Sequence, residues 1–174
     1  MESEFEMSVR QFLARPPFSL RGLSSEDLAV FCAALTHDSY SNEARDAGLP
    51  PVQCYERLEF LGDAIVEFLV CEAAYSDERR GTEGSLTDFK IASVRNEHIS
   101  DMVLERSVGI DGALRVGNGL LEGGAKQISP KMRADSFEAL VAALYLTRGM
   151  DAARDLVERV LLRPPVPCSA DRTC

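Results

Sequence analysis

The segment ERLEFLGDA, residues 56 to 64, places three carboxylates among apolar and small residues. Glu56, Glu59 and Asp63 are spaced i, i+3 and i+7, so an α-helix would direct all three toward one stripe of its surface. Like charges at such spacings repel by roughly 0.2–0.5 kcal/mol for each pair. The spacing therefore indicates that something else in the molecule, or bound to it, offsets this repulsion.

A second acidic pair lies in RADSFEALVAALYL, residues 133 to 146, where Asp135 and Glu138 share a helix face and apolar residues surround them. Two half-buried helices that carry paired carboxylates are costly unless the charge is neutralised. Mg²⁺ binds oxygen ligands and keeps waters for substrate phosphates, and two such ions about 4 Å apart can assist phosphoryl chemistry. The spacing alone predicts a metal-dependent helical enzyme. It leaves open a nucleotide pyrophosphatase, and it also leaves open two solvated acidic faces.

Helical patterns dominate the rest of the chain. SSEDLAVFCAAL begins with Ser24 or Ser25 as a predicted N-cap, and a long apolar-periodic segment runs from Gln53 to Tyr75. The later helices are predicted to be capped by Ser85, Asn96 and Asp151. No segment has the alternating pattern of a strand, so we expect an all-α fold.

The chain of 174 residues, 45% of them hydrophobic, is long enough for one domain with an ordinary core. We expect this domain to span residues 1–163, followed by a short Pro-rich tail, PPVPCSADRTC, over residues 164–174. The acidic start MESEFEMSVR lacks the apolar run of a signal peptide, and no segment is apolar enough to span a membrane. These observations predict a cytoplasmic protein with no membrane association.

The cysteines argue against a structural zinc site, but the net charge does not exclude a nucleic-acid partner. The five cysteines include no C-x-x-C pair, and with only two histidines a structural zinc site is not indicated. Cys32, Cys54 and Cys71 are predicted to be small buried residues.

A net charge of −9 normally argues against a nucleic-acid partner, but acids that bind metal ions would not count as free negative charge. Cations also crowd the second half of the chain: Arg79, Arg80, Lys90, Arg95, Arg106, Arg115, Lys126, Lys131 and Arg133.

The identities of the residues, beyond their spacing, narrow the choice among these possible functions. ERLEFLGDA resembles the signature of the ribonuclease III family, and three other blocks are similar to family segments in the same order. These blocks are ALTHDSYSNE (34–43), EGSLTDFKIASVRNEHIS (83–100) and ADSFEALVAALYL (134–146). The resemblance implies the helical ribonuclease III endonuclease-domain fold in a symmetric homodimer. It also implies metal-dependent cleavage of double-stranded RNA to 5′-phosphate and 3′-hydroxyl ends with short 3′ overhangs.

The same resemblance implies roles for individual residues. Four acids would bind Mg²⁺, with Mn²⁺ able to substitute, and would carry the chemistry: Glu59, Asp63, Asp135 and Glu138. Glu56 would have a supporting place near the dimer interface and the RNA, and the Phe60 ring would pack into the partner subunit. Lys131 stands four residues before Asp135, as in the P-K-x-x-x-D pattern of the Dicer branch, and could contact a phosphate or tune the site. It could equally be a solvated cation at a helix start.

The chain departs from the full-length family members in one respect. Residues 164–174 are too few to supply the double-stranded RNA-binding domain that follows the nuclease domain in standard bacterial members. We therefore expect weak, salt-sensitive RNA binding, or a helper RNA-binding protein. The alternative is a catalytically silent scaffold within a larger ribonucleoprotein. Because all four acids are present, the nuclease is favoured.

Overall fold

A computed structural model describes residues 2–162, and most of them are helical. The helices are α1 (Glu4–Leu13), α2 (Ser25–Ala34), α3 (Asp38–Asp46), α4 (Glu56–Ser76), α5 (Glu83–Ser93), α6 (Asn96–Glu105), α7 (Ile110–Ala113), α8 (Pro130–Arg148) and α9 (Met150–Val157). A π-helical segment, Glu158–Leu162, continues α9. The all-α prediction is confirmed, whereas the predicted tail over residues 164–174 lies outside the described residues.

The two long helices α4 and α8 pack against each other at the centre of the fold. Every residue of α8 from Met132 to Leu144 is buried, including its polar ones. Ser129 caps this helix by accepting the Met132 N–H, and Pro130 follows in the first turn, where it needs no N–H partner. Burial of large side chains such as Phe137 contributes roughly 1.5–3 kcal/mol each to this core. The second acidic pair is thus carried on the most buried helix.

Helix starts follow the predicted capping residues only in part. Ser24 caps α2 as expected. The prediction that Ser85 caps α5 is wrong. The helix begins at Glu83, and Thr82 is its cap, because the Thr82 hydroxyl accepts the Ser85 N–H. Asn96 is the first residue of α6 rather than its cap. Asp151 lies inside the first turn of α9, because Gly149 with φ 85° already separates α8 from α9.

A small β-hairpin interrupts the helical pattern between α7 and α8. Strands β1 (Leu121–Glu122) and β2 (Ala125–Lys126) pair in antiparallel fashion around Gly123 and Gly124. Both glycines have positive φ, which suits a tight turn. Strands of two residues are too short to give an alternating pattern, so the sequence did not reveal them.

Two further sequence expectations concern exposure. Cys32 and Cys54 are partly buried, but Cys71 is exposed, so its predicted burial is wrong. Cys71 lies on a solvent-facing side of α4, where periodicity alone did not distinguish it from the buried face. None of the described helices combines the length and apolarity needed to cross a membrane.

Candidate metal centre

The candidate site lies where α4 crosses α8. Glu59 comes from the first turn of α4, and Asp135 and Glu138 come from the buried part of α8. Gly62 makes the close approach possible, because a Cβ at this position would overlap the backbone carbonyl of Glu138. Any larger residue at position 62 would push the two helices apart and separate their acids.

Three carboxylates from these helices converge. Glu59, Asp135 and Glu138 each offer one oxygen, and these oxygens lie within 4.8 Å of one another. Asp135 and Glu138 are each only 5% exposed, and Glu59 is partly buried. Three negative groups so close in a half-buried setting are unfavourable unless they are protonated or bound to cations.

The ionisation behaviour of these acids reflects the crowding. Burial is the main cause that raises the pKa of Glu138 to about 8, and the neighbouring Asp63, Asp135 and Glu59 carboxylates raise it further. The pKa of Glu59 is also raised, first by burial and then by Asp135, although Lys131 opposes this rise. Glu59 and Glu138 therefore hold protons more tightly than free carboxylates do, because their charged forms are disfavoured in this setting.

Asp135 is held from two sides. The Lys131 ammonium, one turn earlier on α8, lies 2.9 Å from Oδ1 and 2.7 Å from Oδ2. The Tyr55 hydroxyl donates a long hydrogen bond of 3.5 Å to Oδ2. Tyr55 is buried and directly precedes α4, so it links the start of one acidic helix to an acid on the other. Nothing in the sequence pattern pointed to Tyr55, because it lies just outside the acidic stripe.

His37 supports the same wall of the site. It occupies the N-cap position of α3, where Nδ1 accepts the Ser39 N–H at 3.0 Å. Its ring meets the Tyr55 ring edge-on, with the ring centres 5.4 Å apart. An open cleft of about 280 Å³ lies beside the acids, and its lining residues are His37, Asp38, Tyr55, Glu56, Glu59, Lys131, Met132 and Asp135. The cleft gives a substrate access to the cluster.

The other predicted site residues lie around this group. Asp63 is exposed and is not part of the group of three, although its charge raises the pKa of Glu138. Glu56 is exposed and lines the cleft. Phe60 is 83% exposed, which is unusual for a large apolar ring. The structure thus brings three of the four predicted ligands together and leaves Asp63 one turn along α4.

The donor set fits a hard divalent cation. All three converging groups are carboxylates, the ligand type that Mg²⁺ and Mn²⁺ prefer. Within the described residues, no hydrogen bond or ion pair reaches the buried Glu138 carboxylate, so protein groups do not satisfy its oxygens. Glu59, Asp135 and Glu138 are therefore the residues that could hold such an ion, with Asp63 near enough for its charge to raise the pKa of Glu138.

Arg133, which the sequence analysis named only as one of the cations, links three helices of the fold. Its guanidinium is buried and bonds both carboxylate oxygens of Asp111, at 2.7 and 2.6 Å, and the Ser100 hydroxyl at 2.7 Å. These bonds fix the first half of α8 against α6 and α7, just before Asp135. Lys126 on β2 is exposed, and its ammonium donates hydrogen bonds to the backbone carbonyls of Asp111 and Gly112.

Comparison with protein families and curated proteins gives a consistent result. The family model described as Ribonuclease-III-like matches residues 27–164. The chain is 39% identical to "Ribonuclease 3" of Bdellovibrio bacteriovorus over 147 residues, which cover 84% of this chain and 57% of that protein. It is 37% identical to "Ribonuclease 3" of Latilactobacillus sakei over 140 residues, covering 80% and 58% of the two chains. The chain thus spans somewhat less than three fifths of the length of these relatives.

Solved structures share the fold. The nuclease domain of ribonuclease III from Campylobacter jejuni superposes with a TM-score of 0.64 at 24% identity, covering 88% of this chain and 96% of that one. The description of that structure refers to a flexible region involved in dimer formation. A second structure of the same domain gives a TM-score of 0.63 at 23% identity, with 91% and 96% coverage. At these identities the likeness shows the fold.

Proposed function

The chain belongs to the ribonuclease III-like family, and from this premise we propose that it is a metal-dependent endoribonuclease that cleaves double-stranded RNA. The observation that carries the proposal is the convergence of Glu59, Asp135 and Glu138 within 4.8 Å beside an open cleft. A scaffold protein would have no need to keep these buried acids so close, since their mutual repulsion only destabilises the fold.

The residues of the site would divide the work between them. Asp135 and Glu138, held rigidly on buried α8, would bind the cation, and Glu59 would complete the set from α4. When bound, Mg²⁺ would supply Lewis acidity toward a water nucleophile and the phosphate oxygens. Asp63, exposed at the edge, would orient water or RNA next to the cation. The products would be 5′-phosphate and 3′-hydroxyl ends.

A symmetric homodimer is part of the proposal. A groove of about 600 Å³ lies near Phe60, and its apolar lining consists of Val30, Ala33, Val52, Leu58, Leu61 and Leu146. Leu58 and Leu61 flank Phe60 in the sequence, so a twofold axis could seat each Phe60 in the groove of the other protomer. Two such sites, one on each protomer, would cut both strands of a duplex and leave short 3′ overhangs. Glu56, on the wall between groove and cleft, would support both contacts.

The surface of the described residues offers limited charge for RNA. Two of the cations in the second half of the chain are bound to acids: Arg79 pairs with Asp77 at 2.7 Å, and Lys90 pairs with Glu67 at 3.5 Å. We therefore retain a helper RNA-binding protein in the proposal as a source of duplex affinity. A cytoplasmic location also belongs to the proposal.

The direct test uses the variant Glu138→Gln, which removes one carboxylate at nearly constant shape. Wild-type protein should shorten long double-stranded RNA with Mg²⁺ and should not do so with EDTA. The variant should bind the duplex but leave it intact. Cleavage by the variant near the wild-type rate would contradict the assignment of Glu138. Duplex binding by wild type without any cleavage would support the scaffold function instead.

A further inference from the structure

Lys131 contacts both carboxylate oxygens of Asp135, which a bound divalent cation would need as ligands. Its ammonium lies 2.9 and 2.7 Å from the two carboxylate oxygens of Asp135, in an i, i+4 pair on α8. Asp135 has 7% of its side chain exposed, whereas Lys131 has 66% exposed. A buried, fixed carboxylate is therefore paired with a cation on a long and largely solvated stem.

Lys131 also acts on the rest of the cluster. Its charge attracts Glu59 and Glu138 in addition to Asp135, and it lowers the pKa of both glutamates against the rise that burial causes. The ammonium thus contacts Asp135 and acts on Glu59 and Glu138 through its charge alone. The contact with a buried carboxylate distinguishes Lys131 from a lysine whose ammonium is solvated on all sides.

We propose that Lys131 is a built-in counter-cation of the acidic cluster, which a divalent ion must displace from Asp135 before it binds there. This inference rests on the metal site of the proposed function. An ammonium and a divalent ion within a few ångströms repel each other, and both require the same oxygens. The exposed stem of Lys131 allows the ammonium to leave without movement of α8, because only side-chain torsions must change.

The proposal fixes the direction in which metal affinity changes. Lys131 stabilises the cluster before metal binds and is lost as a partner afterwards, so it weakens divalent-ion binding. Removal of the ammonium by Lys131→Met should tighten Mn²⁺ binding roughly five-fold at moderate ionic strength. A lysine that positioned Asp135 as a ligand would have the opposite effect, since its removal would loosen the site.

Isothermal titration of the whole protein with Mn²⁺, without RNA, measures this affinity. Lys131→Arg keeps the charge, and because a guanidinium can bond both carboxylate oxygens of Asp135, its Mn²⁺ binding should be no tighter than that of wild type. Lys126→Met is the matched control, because it removes the same charge from an ammonium that bonds backbone carbonyls away from the cluster. Its affinity should equal that of wild type. Unchanged or weaker binding by Lys131→Met would overturn the inference.

A measurement on wild-type protein covers the case in which Lys131→Met does not fold. The side-chain ammonium ¹⁵N signal of Lys131, assigned by its absence in Lys131→Arg, should shift on addition of Mg²⁺, and that of Lys126 should not. If the protein bound Mg²⁺ and the Lys131 signal did not shift, the inference would be overturned but the proposed metal site would stand. If wild type bound neither Mn²⁺ nor Mg²⁺, the metal site of the proposed function would fall, and the inference with it.

Discussion

Glu138 should destabilise the protein at neutral and higher pH when no divalent ion is bound, and Glu138→Gln should relieve this cost. The pKa of Glu138 is raised from 4.5 to about 8 in the folded protein. Above the unfolded value, the unfolded chain releases the proton that the folded protein retains. The free energy of unfolding therefore falls as the pH rises from about 4.5 to about 8, and it levels off above that.

The size of the effect follows from the shift. Each pKa unit corresponds to about 1.4 kcal/mol, so a shift from 4.5 to about 8 gives an upper bound of about 5 kcal/mol. Water in the adjoining cleft and relaxation of the acids reduce this bound. We expect Glu138→Gln to raise the free energy of unfolding by about 2 kcal/mol at pH 8.5 in EDTA. At pH 4.5, where Glu138 is protonated in the folded protein and about half protonated in the unfolded chain, the two proteins should differ little.

Urea denaturation followed by circular dichroism, at one protein concentration and at pH 4.5, 7 and 8.5, measures the difference. Glu56→Gln is the control, because Glu56 lies exposed at the edge of the same cleft and should show no such gain. Addition of Mg²⁺ should stabilise wild type and have much less effect on Glu138→Gln. The reasoning would be refuted if the variant were no more stable than wild type at pH 8.5 in EDTA, or if its advantage were the same at pH 4.5.

Two other substitutions test the arrangement of α4. Phe60→Asp should convert the proposed dimer to a monomer with an otherwise unchanged circular dichroism spectrum. Light scattering that still showed twice the chain mass would argue against Phe60 as the interface residue. Gly62→Ala should lower the free energy of unfolding by about 3 kcal/mol or more, because its Cβ overlaps the Glu138 carbonyl. Gly84 is a helical position with open space around it, so Gly84→Ala should instead raise the free energy of unfolding by about 0.5–1 kcal/mol. Equal effects of the two alanine substitutions would contradict the close packing of α4 on α8.

Much of the secondary structure was accessible from the sequence. Apolar periodicity predicted the long helix that is observed as α4, and the serine before α2 was recognised as its cap. Capping was less predictable elsewhere, since Thr82 and Ser85 have the same hydroxyl chemistry and only the backbone at each residue decides which one is used. The β-hairpin was not predicted, because strands of two residues are too short to show a periodic pattern.

The candidate site was predictable as a set of residues but not as an arrangement. Spacing placed Glu59 and Asp63 on one helix stripe and Asp135 and Glu138 on another, because the period of an α-helix is fixed by its backbone. The distance between the two stripes depends on how α4 and α8 pack. That distance is set at Gly62, whose missing side chain lets one helix rest on the backbone of the other.

The sequence by itself determined which acids exist and which face of a helix each one shares, since both follow from local geometry. Only the tertiary structure decided that Glu59 joins Asp135 and Glu138 while Asp63 stays at the edge. It also decided that Tyr55 and Lys131 both engage Asp135. The physical reason is that contacts between distant segments depend on the packing of whole helices, and no local pattern records how closely two helices approach.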